Sequence, residues 1–305
     1  MISVFSRKEN CYGCAACNSI CPTNAIEMKP DNEGFLYPNI IKESCINCGL
    51  CQKVCPFKEL THSSDKLPNP LVYAVKHKDD HVRMNSTSGG VYTALSDVVI
   101  RSSGKVYGVK FDNEVNVIHS EAITFEERNK FRGSKYVQSD MKDVFHIIKK
   151  QLKSNCIVFF TGTPCQVAAV VKYINQIGLK SDRLITNDIV CHGVSSPLLW
   201  SNYLEFIERD KKLKSYTFRY KEKGWRGYNI KAEFVNGKSK INTPDIKIYS
   251  YIYSSNLALR PSCYYCKFAN LKRPSDITIG DFWGIEKIMP EIDDDKGALT
   301  PRYWR

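Results

Sequence analysis

Residues 11–22 read CYGCAACNSICP and residues 45–56 read CINCGLCQKVCP. Both runs follow the spacing C-x2-C-x2-C-x3-C-P, and each cysteine of the first run recurs 34 residues later in the second. Three cysteines separated by two residues can surround one inorganic centre from a tight loop. The fourth, which precedes a proline, can reach a second centre. This stretch decides the fold of the N-terminal part of the chain.

The duplicated spacing is typical of bacterial two-cluster ferredoxins, in which the fourth cysteine of each run ligates the other cluster. It predicts two [4Fe-4S] clusters and a protein that transfers single electrons. We expect the first cluster at Cys11, Cys14, Cys17 and Cys55, and the second at Cys45, Cys48, Cys51 and Cys21.

Zinc sites and disulfides are the alternatives for closely spaced cysteines. The eight-cysteine pattern with both prolines favours iron and sulfide over either of them. The first ten residues, MISVFSRKEN, contain charges and lack the apolar stretch of an export signal. We therefore expect a cytoplasmic protein whose thiols stay reduced.

Length and composition limit the remaining possibilities. The 305 residues leave room for a ferredoxin unit and one or two α/β domains, and no apolar run approaches the roughly 20 residues of a membrane span. The formal charge of +12 falls to roughly +8 with two oxidised clusters and to about +6 with a third. A basic surface can steer an acidic electron-carrier protein or partner subunit, or be merely solvated. Without a basic stripe interleaved with aromatic residues, nucleic-acid binding is not expected.

The order of predicted elements divides the chain. Residues 1–58 form an α+β, ferredoxin-like domain, and residues 59–70 form a polar linker bounded by proline. Strands expected at 105–111, 156–160 and 184–190 alternate with helices at 166–176 and 197–212, which indicates an α/β domain with crossover connections. Its N-terminal part spans residues 71–182 and its C-terminal part residues 183–305.

Five cysteines lie outside the ferredoxin runs. Cys156 begins an apolar strand and is expected to pack as a small hydrophobic residue. The other four, Cys165, Cys191, Cys263 and Cys266, flank predicted strands, where they can form a third [4Fe-4S] site. A zinc site, a reactive Cys165 at a helix N-terminus and four unrelated buried thiols remain the alternatives. His192 beside Cys191 is a candidate ligand or proton donor, or simply structural.

Two loops before predicted helices offer backbone N–H groups to an anion. The first consists of Ser86, Thr87, Ser88, Gly89 and Gly90, and the second contains Gly162 and Thr163. Such loops suit a pyrophosphate, although the same residues also make ordinary helix caps.

Five segments in order resemble the coenzyme F-420 hydrogenase/dehydrogenase beta-subunit family across residues 71–289. They are STSGG (Ser86–Gly90), GTPCQVAAV (Gly162–Val170), CHGVSSPLLW (Cys191–Trp200), CYYCKFAN (Cys263–Asn270) and DITIGDFWG (Asp276–Gly284). The chain ends sooner after the last segment than is usual in the family, which predicts a truncated C-terminal part.

The resemblance implies an α/β flavin-binding domain and a cytoplasmic, FAD-dependent iron–sulfur oxidoreductase. Its organic substrate would be a deazaflavin or another small redox molecule, such as a sugar or lipid intermediate. The alternative is a non-catalytic electron-transfer subunit of a larger complex. By matching motif, Ser86 to Gly90 and Thr163 would contact the flavin, and Lys135 in GSKYVQS would contact the flavin or its phosphate. Cys165, Cys191, Cys263 and Cys266 would ligate a cluster beside it. The sequence names no catalytic residue.

Overall fold

The computed structural model describes residues 3–58, 70–141, 143–180, 182–209 and 211–303. The predicted linker at 59–70 lies outside these ranges except for Pro70. The strands are β1 (Ile26–Pro30), β2 (Leu36–Ile40), β3 (Leu71–Val72), β4 (Lys105–Phe111), β5 (Val117–Ala122), β6 (Val158–Gly162), β7 (Leu184–Ile189), β8 (Leu213–Tyr220), β9 (Asn229–Phe234), β10 (Ser239–Ile241), β11 (Ile277–Asp281) and β12 (Leu299–Tyr303).

The α-helices vary from single turns in the cysteine loops to three turns beside the main sheet. They are α1 (Ala16–Ser19), α2 (Leu50–Lys53), α3 (Asp80–Met84), α4 (Val91–Arg101), α5 (Phe125–Asn129), α6 (Val144–Lys153), α7 (Pro164–Gln176), α8 (Pro197–Ile207), α9 (Pro244–Ser254) and α10 (Ile285–Ile288). Within the ranges above, no helix is both long and apolar enough to cross a membrane.

Two pseudo-equivalent halves form the N-terminal head. The single-turn helices α1 and α2 each begin after a residue with positive φ, Ala15 in the first half and Gly49 in the second. Strands β1 and β2 pair antiparallel, with Ile26 opposite Ile40. The head therefore carries both cysteine runs in loops that turn sharply before a short helix.

The main sheet has seven strands in the order β3-β12-β11-β7-β6-β4-β5. The four central strands, β11, β7, β6 and β4, run parallel, as the alternation of strands and helices predicted. The outer strands β5, β12 and β3 pair antiparallel, so the fold is mixed α/β rather than purely parallel. Strand β5 follows β4 through a short turn, which leaves no residues for a crossover helix.

Helices cover the central strands, which explains their apolar sequence. Val158, Phe159 and Phe160 on β6 are all buried, as expected for a strand covered on both faces. Strand β6 ends at Gly162 and β7 at Ile189. The loops that carry Thr163, Cys165 and Cys191 therefore leave the carboxyl ends of neighbouring parallel strands, where α/β sheets bind ligands.

A second sheet, in the order β10-β9-β8, is antiparallel. Helices α8 and α9 pack on it around an aromatic core that contains Trp200, Tyr203, Tyr216, Phe218 and Tyr249. Ser196 caps α8, because its hydroxyl accepts hydrogen bonds from the backbone N–H groups of Leu198 and Leu199, as predicted. The helix ends at Ile207 rather than near residue 212. The Glu208 carboxylate accepts a hydrogen bond from the N–H of Leu213, where β8 begins.

The head and the main sheet share one hydrophobic core. Ala16 and Val54 of the head pack in the same cluster as Phe145 of α6 and Tyr173 of α7. Lys172 on α7 also donates a hydrogen bond from Nζ to the carbonyl oxygen of Cys55 at 3.2 Å. The head is therefore fixed against the sheet rather than tethered to it.

Candidate functional site

The first cysteine set lies inside the protein. Cys11, Cys14, Cys17 and Cys55 line one small cavity of the head. Burial raises the pKa of the Cys14 thiol well above its ordinary value, and the neighbouring Cys17, Cys55 and Cys11 raise it further. This grouping is the ligand set that the sequence predicts for the first cluster.

The second cysteine set lies at the surface. Cys21, Cys45, Cys48 and Cys51 line another small cavity of the head, and Cys48 is exposed to solvent. Burial raises the pKa of Cys51, and Cys48, Cys21 and Cys45 raise it further. Ile46 beside this set is 63% exposed. The two sets therefore differ in access to solvent although their sequences match.

The third set comes from three separate loops. Cys165 opens α7, Cys191 follows β7, and Cys263 and Cys266 precede β11. Burial raises the pKa of Cys191, and the charges of Cys165, Cys263 and Cys266 add to the increase. For Cys165, burial raises the pKa to about 12. Because iron binds thiolates, assembly of a cluster here must release protons from buried thiols.

The sulfur atoms are not drawn together around a point. In the described ranges, no group of three or more His, Cys, Asp or Glu side chains is arranged to hold a single metal ion. Zinc places four sulfurs about 2.3 Å from one atom. A cubane instead binds one thiolate at each iron corner, so its four ligands stand farther apart. All thirteen cysteines are free thiols.

Tyr12 and Arg260 lie between the first and third sets. After burial, the largest influences that raise the pKa of Tyr12 are Cys165 and Cys266, followed by Cys55 of the first set. The Arg260 guanidinium donates a hydrogen bond from Nε to the carbonyl oxygen of Cys11 at 2.7 Å. Neither residue stood out in the sequence. The only available signal was position, because Tyr12 follows Cys11 and Arg260 precedes Cys263 by three residues.

A large cavity of about 1340 Å³ opens at the carboxyl ends of the central strands. Pockets for drug-sized molecules occupy about 300–1000 Å³, so this cavity has room for a dinucleotide. Six of the seven predicted flavin-contact residues line it: Ser86, Thr87, Ser88, Gly90, Lys135 and Thr163. Gly89 is buried outside the lining, and its carbonyl oxygen accepts a hydrogen bond from the His77 N–H at 2.7 Å.

The loop from Ser86 to Gly90 is held from several sides. Gly90 adopts a positive φ and directly precedes the three-turn helix α4, whose first N–H groups have no partner within the helix. The Ser88 hydroxyl donates to the carbonyl oxygen of Ala298 at 2.7 Å, and Thr87 Oγ1 accepts from the Ser134 N–H at 2.7 Å. Lys221 Nζ donates to the Ser88 carbonyl at 2.7 Å. The loop is thus preorganised for an anion.

Lys135 also lies at the cavity wall, but its ammonium group is already engaged. Nζ donates to the carbonyl oxygens of Lys130 at 3.0 Å, Arg132 at 2.9 Å and Gly133 at 3.1 Å. Burial lowers the pKa of Lys135 to about 7. As it stands, the side chain braces the loop behind the cavity.

The cavity and the third cysteine set share a wall. Cys191, His192 and Thr163 line the cavity. Thr163 Oγ1 lies 3.2 Å from Cys165 Sγ. The His192 ring centroid lies 5.2 Å from that of Tyr253, so this histidine packs on an aromatic side chain.

Aromatic residues form the rim of the cavity opposite the loop. Tyr228 and Trp283 line the cavity, and their rings stack with centroids 5.6 Å apart. Trp225 stacks on the other face of the assembly, 4.5 Å from Trp283. The Arg219 guanidinium lies 4.7 Å from the Tyr228 ring centroid and bonds to Asp281 at 3.2 Å. The sequence marked Trp283 only as part of a motif, because no local pattern brings β8 and β11 together.

Behind the wall, a hydrogen-bond chain runs from His119 toward Cys165. His119 Nε2 lies 3.1 Å from the carbonyl oxygen of Thr161, which can only accept, so Nε2 carries the proton. Nδ1 then accepts from the Ser139 hydroxyl at 2.9 Å, and Ser139 accepts from Gln166 Nε2 at 3.0 Å. Gln166 Oε1 accepts from the Thr163 N–H at 3.1 Å. This order leaves the Thr163 hydroxyl free to donate to Cys165.

We expect His119 to make stability depend on pH. Burial lowers its pKa to about 4, whereas an unfolded histidine titrates near 6.5. The unfolded chain therefore binds more protons between these values, so stability is full above pH 6.5 and falls as the pH drops toward 4. The loss at pH 5 is about 2 kcal/mol. Anaerobic urea unfolding at pH 7.5 and pH 5 measures it.

His119→Gln is expected to remove this part of the pH dependence, because glutamine does not titrate. His81→Gln, at an exposed histidine, is the matched control and should keep it. Equal pH dependence in wild type and His119→Gln would contradict the assignment.

Comparisons with known proteins agree with this arrangement. The model of a 4Fe-4S dicluster domain matches residues 10–58, and that of the C-terminal region of the coenzyme F420 hydrogenase/dehydrogenase beta subunit matches residues 157–300. The chain joins a dicluster domain to a beta-subunit domain of this family. The resemblance seen in the sequence is confirmed, and the dicluster match supports two [4Fe-4S] clusters. The chain is thus an iron–sulfur electron-transfer protein related to an oxidoreductase family.

One solved structure shows the same fold. It is a chain of the F420-reducing [NiFe] hydrogenase complex from Methanosarcina barkeri, studied by xenon derivatization. The two chains are 18% identical, the match covers 76% of this chain and 74% of the other, and the TM-score is 0.50. No curated protein matches the sequence.

Proposed function

We propose that this beta-subunit-like protein is an FAD-dependent iron–sulfur oxidoreductase that passes electrons between an organic substrate and three [4Fe-4S] clusters. The observation that carries the proposal is the wall shared by the cavity and the third cysteine set, where Cys191 lines the cavity and Thr163 contacts Cys165. A site for a two-electron organic reaction and a site for a one-electron centre are therefore neighbours.

The cavity fits FAD in size and in charge. The N–H groups at the start of α4 would bind the pyrophosphate, and Ser86, Thr87, Ser88 and Gly90 would surround it. Thr163 and the aromatic rim leave space between them for a planar ring. When bound, FAD supplies the exchange between the hydride of an organic substrate and the single electrons of the clusters.

The three cysteine sets would form a relay. Cys165, Cys191, Cys263 and Cys266 would hold the cluster nearest the cavity, and Cys11, Cys14, Cys17 and Cys55 the next one, beyond Tyr12 and Arg260. Cys21, Cys45, Cys48 and Cys51 would hold the outermost cluster.

We propose that a partner reaches the relay at the outermost cluster. Cys48 and Ile46 are exposed there, whereas the first set is enclosed. An electron-carrier protein or a partner subunit would dock on this surface, and the small organic substrate would enter at the opposite end through the cavity. Its identity within the classes named above would be set by the aromatic rim, including Tyr228 and Trp283.

Anaerobic purification followed by flavin extraction and iron and sulfide analysis tests the proposal. We expect about one FAD and about twelve irons per chain. About eight irons without FAD would instead identify a non-catalytic electron-transfer subunit. If FAD is present, reduction of the flavin absorbance by a one-electron donor, monitored anaerobically, shows whether head and cavity are connected.

A further inference from the structure

We propose that Arg260 raises the reduction potential of the first cluster relative to the second, so that electrons entering at the surface of the head are drawn inward. This inference rests on the proposed function, because it assumes clusters at the three cysteine sets. It assigns a positioning and tuning role to a residue outside all three sets.

The environment of Arg260 is unusual for a cation, since the residue is only 1% exposed. Its guanidinium donates from Nε to the Cys11 carbonyl at 2.7 Å, from Nη1 to Gln138 Oε1 at 2.9 Å, and from Nη2 to the Leu36 carbonyl at 2.9 Å. Nη2 also lies 3.7 Å from Cys11 Sγ. The three oxygen acceptors are neutral, so the Cys11 thiolate is the acceptor that carries charge.

A buried charge is costly unless an opposite charge compensates it. An oxidised cubane with four thiolates carries about two negative charges and gains one more on taking up an electron. The Arg260 guanidinium therefore stabilises the reduced state of the first set more than the oxidised state. This difference raises the reduction potential.

The same cation faces the third set. The Arg260 charge opposes the burial that raises the pKa of Cys165 and Cys263. The Cys263 N–H donates to the Arg260 carbonyl at 2.8 Å, so the side chain is anchored to the loop of the third set. Arg260 therefore acts on two neighbouring sets, while the surface set around Cys48 lies in the other half of the head.

The head is shaped to admit this side chain. Gly13 has a φ of +64°, and a Cβ atom there would lie 2.6 Å from Arg260 Nη1 and 2.7 Å from Cζ. The guanidinium thus rests on the bare backbone of the first cysteine loop. The rings of Phe35 and Tyr37 lie on it, with centroids 5.3 Å and 4.4 Å from Cζ. Position and charge are both fixed.

Anaerobic redox titration followed by electron paramagnetic resonance tests the role. In Arg260→Gln, we expect the reduction equilibrium of the first cluster to become at least about tenfold less favourable, a shift of about 59 mV for one electron. Arg260→Lys keeps the charge and should shift it much less. The second cluster, assigned by the signal lost in Cys48→Ala, should keep its potential in both variants.

Arg128→Gln is the matched control, because Arg128 is also buried but bonds to Asp97, Ser96 and Thr93. Unchanged first-cluster potential in an Arg260→Gln protein with wild-type iron content would overturn the inference. So would equal shifts in Arg260→Lys and Arg260→Gln, because the charge would then not be the cause. Wild-type protein without clusters would refute the proposed function instead.

Discussion

In Cys191→Ala protein, the iron content is expected to fall from about twelve to about eight atoms per chain. Cys191 is one of four thiols that the fold brings together from three loops, and its pKa is raised by burial and by the other three. A cubane that loses one of four thiolates in a buried site has no solvent-exposed substitute at hand. We also expect electron transfer between the head and the cavity to stop, because the missing cluster separates them.

Cys156→Ala is the matched control for this experiment. Cys156 is half-buried, donates from Sγ to the Ile157 carbonyl at 3.7 Å, and belongs to none of the three sets. It should retain about twelve irons. Loss of iron in both variants would indicate general instability, and retention of full iron in Cys191→Ala would contradict the third site.

Thr87→Glu is expected to abolish stable FAD binding, whereas Thr87→Gln should largely preserve it. Thr87 lines the cavity in the loop before α4, where an introduced carboxylate would face the pyrophosphate. Two like charges about 5 Å apart at an effective dielectric constant near 20 repel by about 3 kcal/mol, which weakens binding by more than about a hundredfold. The carboxylate would also occupy the N–H groups that the cofactor needs.

Both variants lose the bond between Thr87 Oγ1 and the Ser134 N–H, and glutamine matches glutamate in size. The difference between them therefore isolates the charge. Equilibrium dialysis of the iron-loaded protein with FAD measures the affinities. Equal affinities for the two variants would show that this loop does not bind the phosphates.

The parts of the fold that depend on local pattern could be predicted from the sequence. Strand β4 covers the predicted residues Lys105–Phe111, and Ser196 caps α8 as expected. The eight cysteines of the head group as their spacing requires, since covalent spacing alone limits which loop can reach which centre. For the third set, the C-x2-C pair supplied only half of the pattern.

The parts that depend on tertiary contacts could not be predicted. The antiparallel pairing of β12 with β3 joins segments more than two hundred residues apart, and no periodicity records it. Arg260 has the features of an ordinary loop arginine until the fold places it on Gly13. The stacking of Tyr228 on Trp283 likewise depends on two sheets meeting at the cavity rim.

The common core of head and sheet has an evolutionary and practical consequence. Ala16 and Val54 pack with Phe145 and Tyr173, so the ferredoxin-like portion is not an interchangeable adaptor. Grafting a foreign ferredoxin onto this scaffold would leave an unmatched apolar contact, and the distance that electrons must tunnel would no longer be defined. Specificity for the electron donor must therefore change on the outer face of the head, where substitutions leave the contact with the sheet intact.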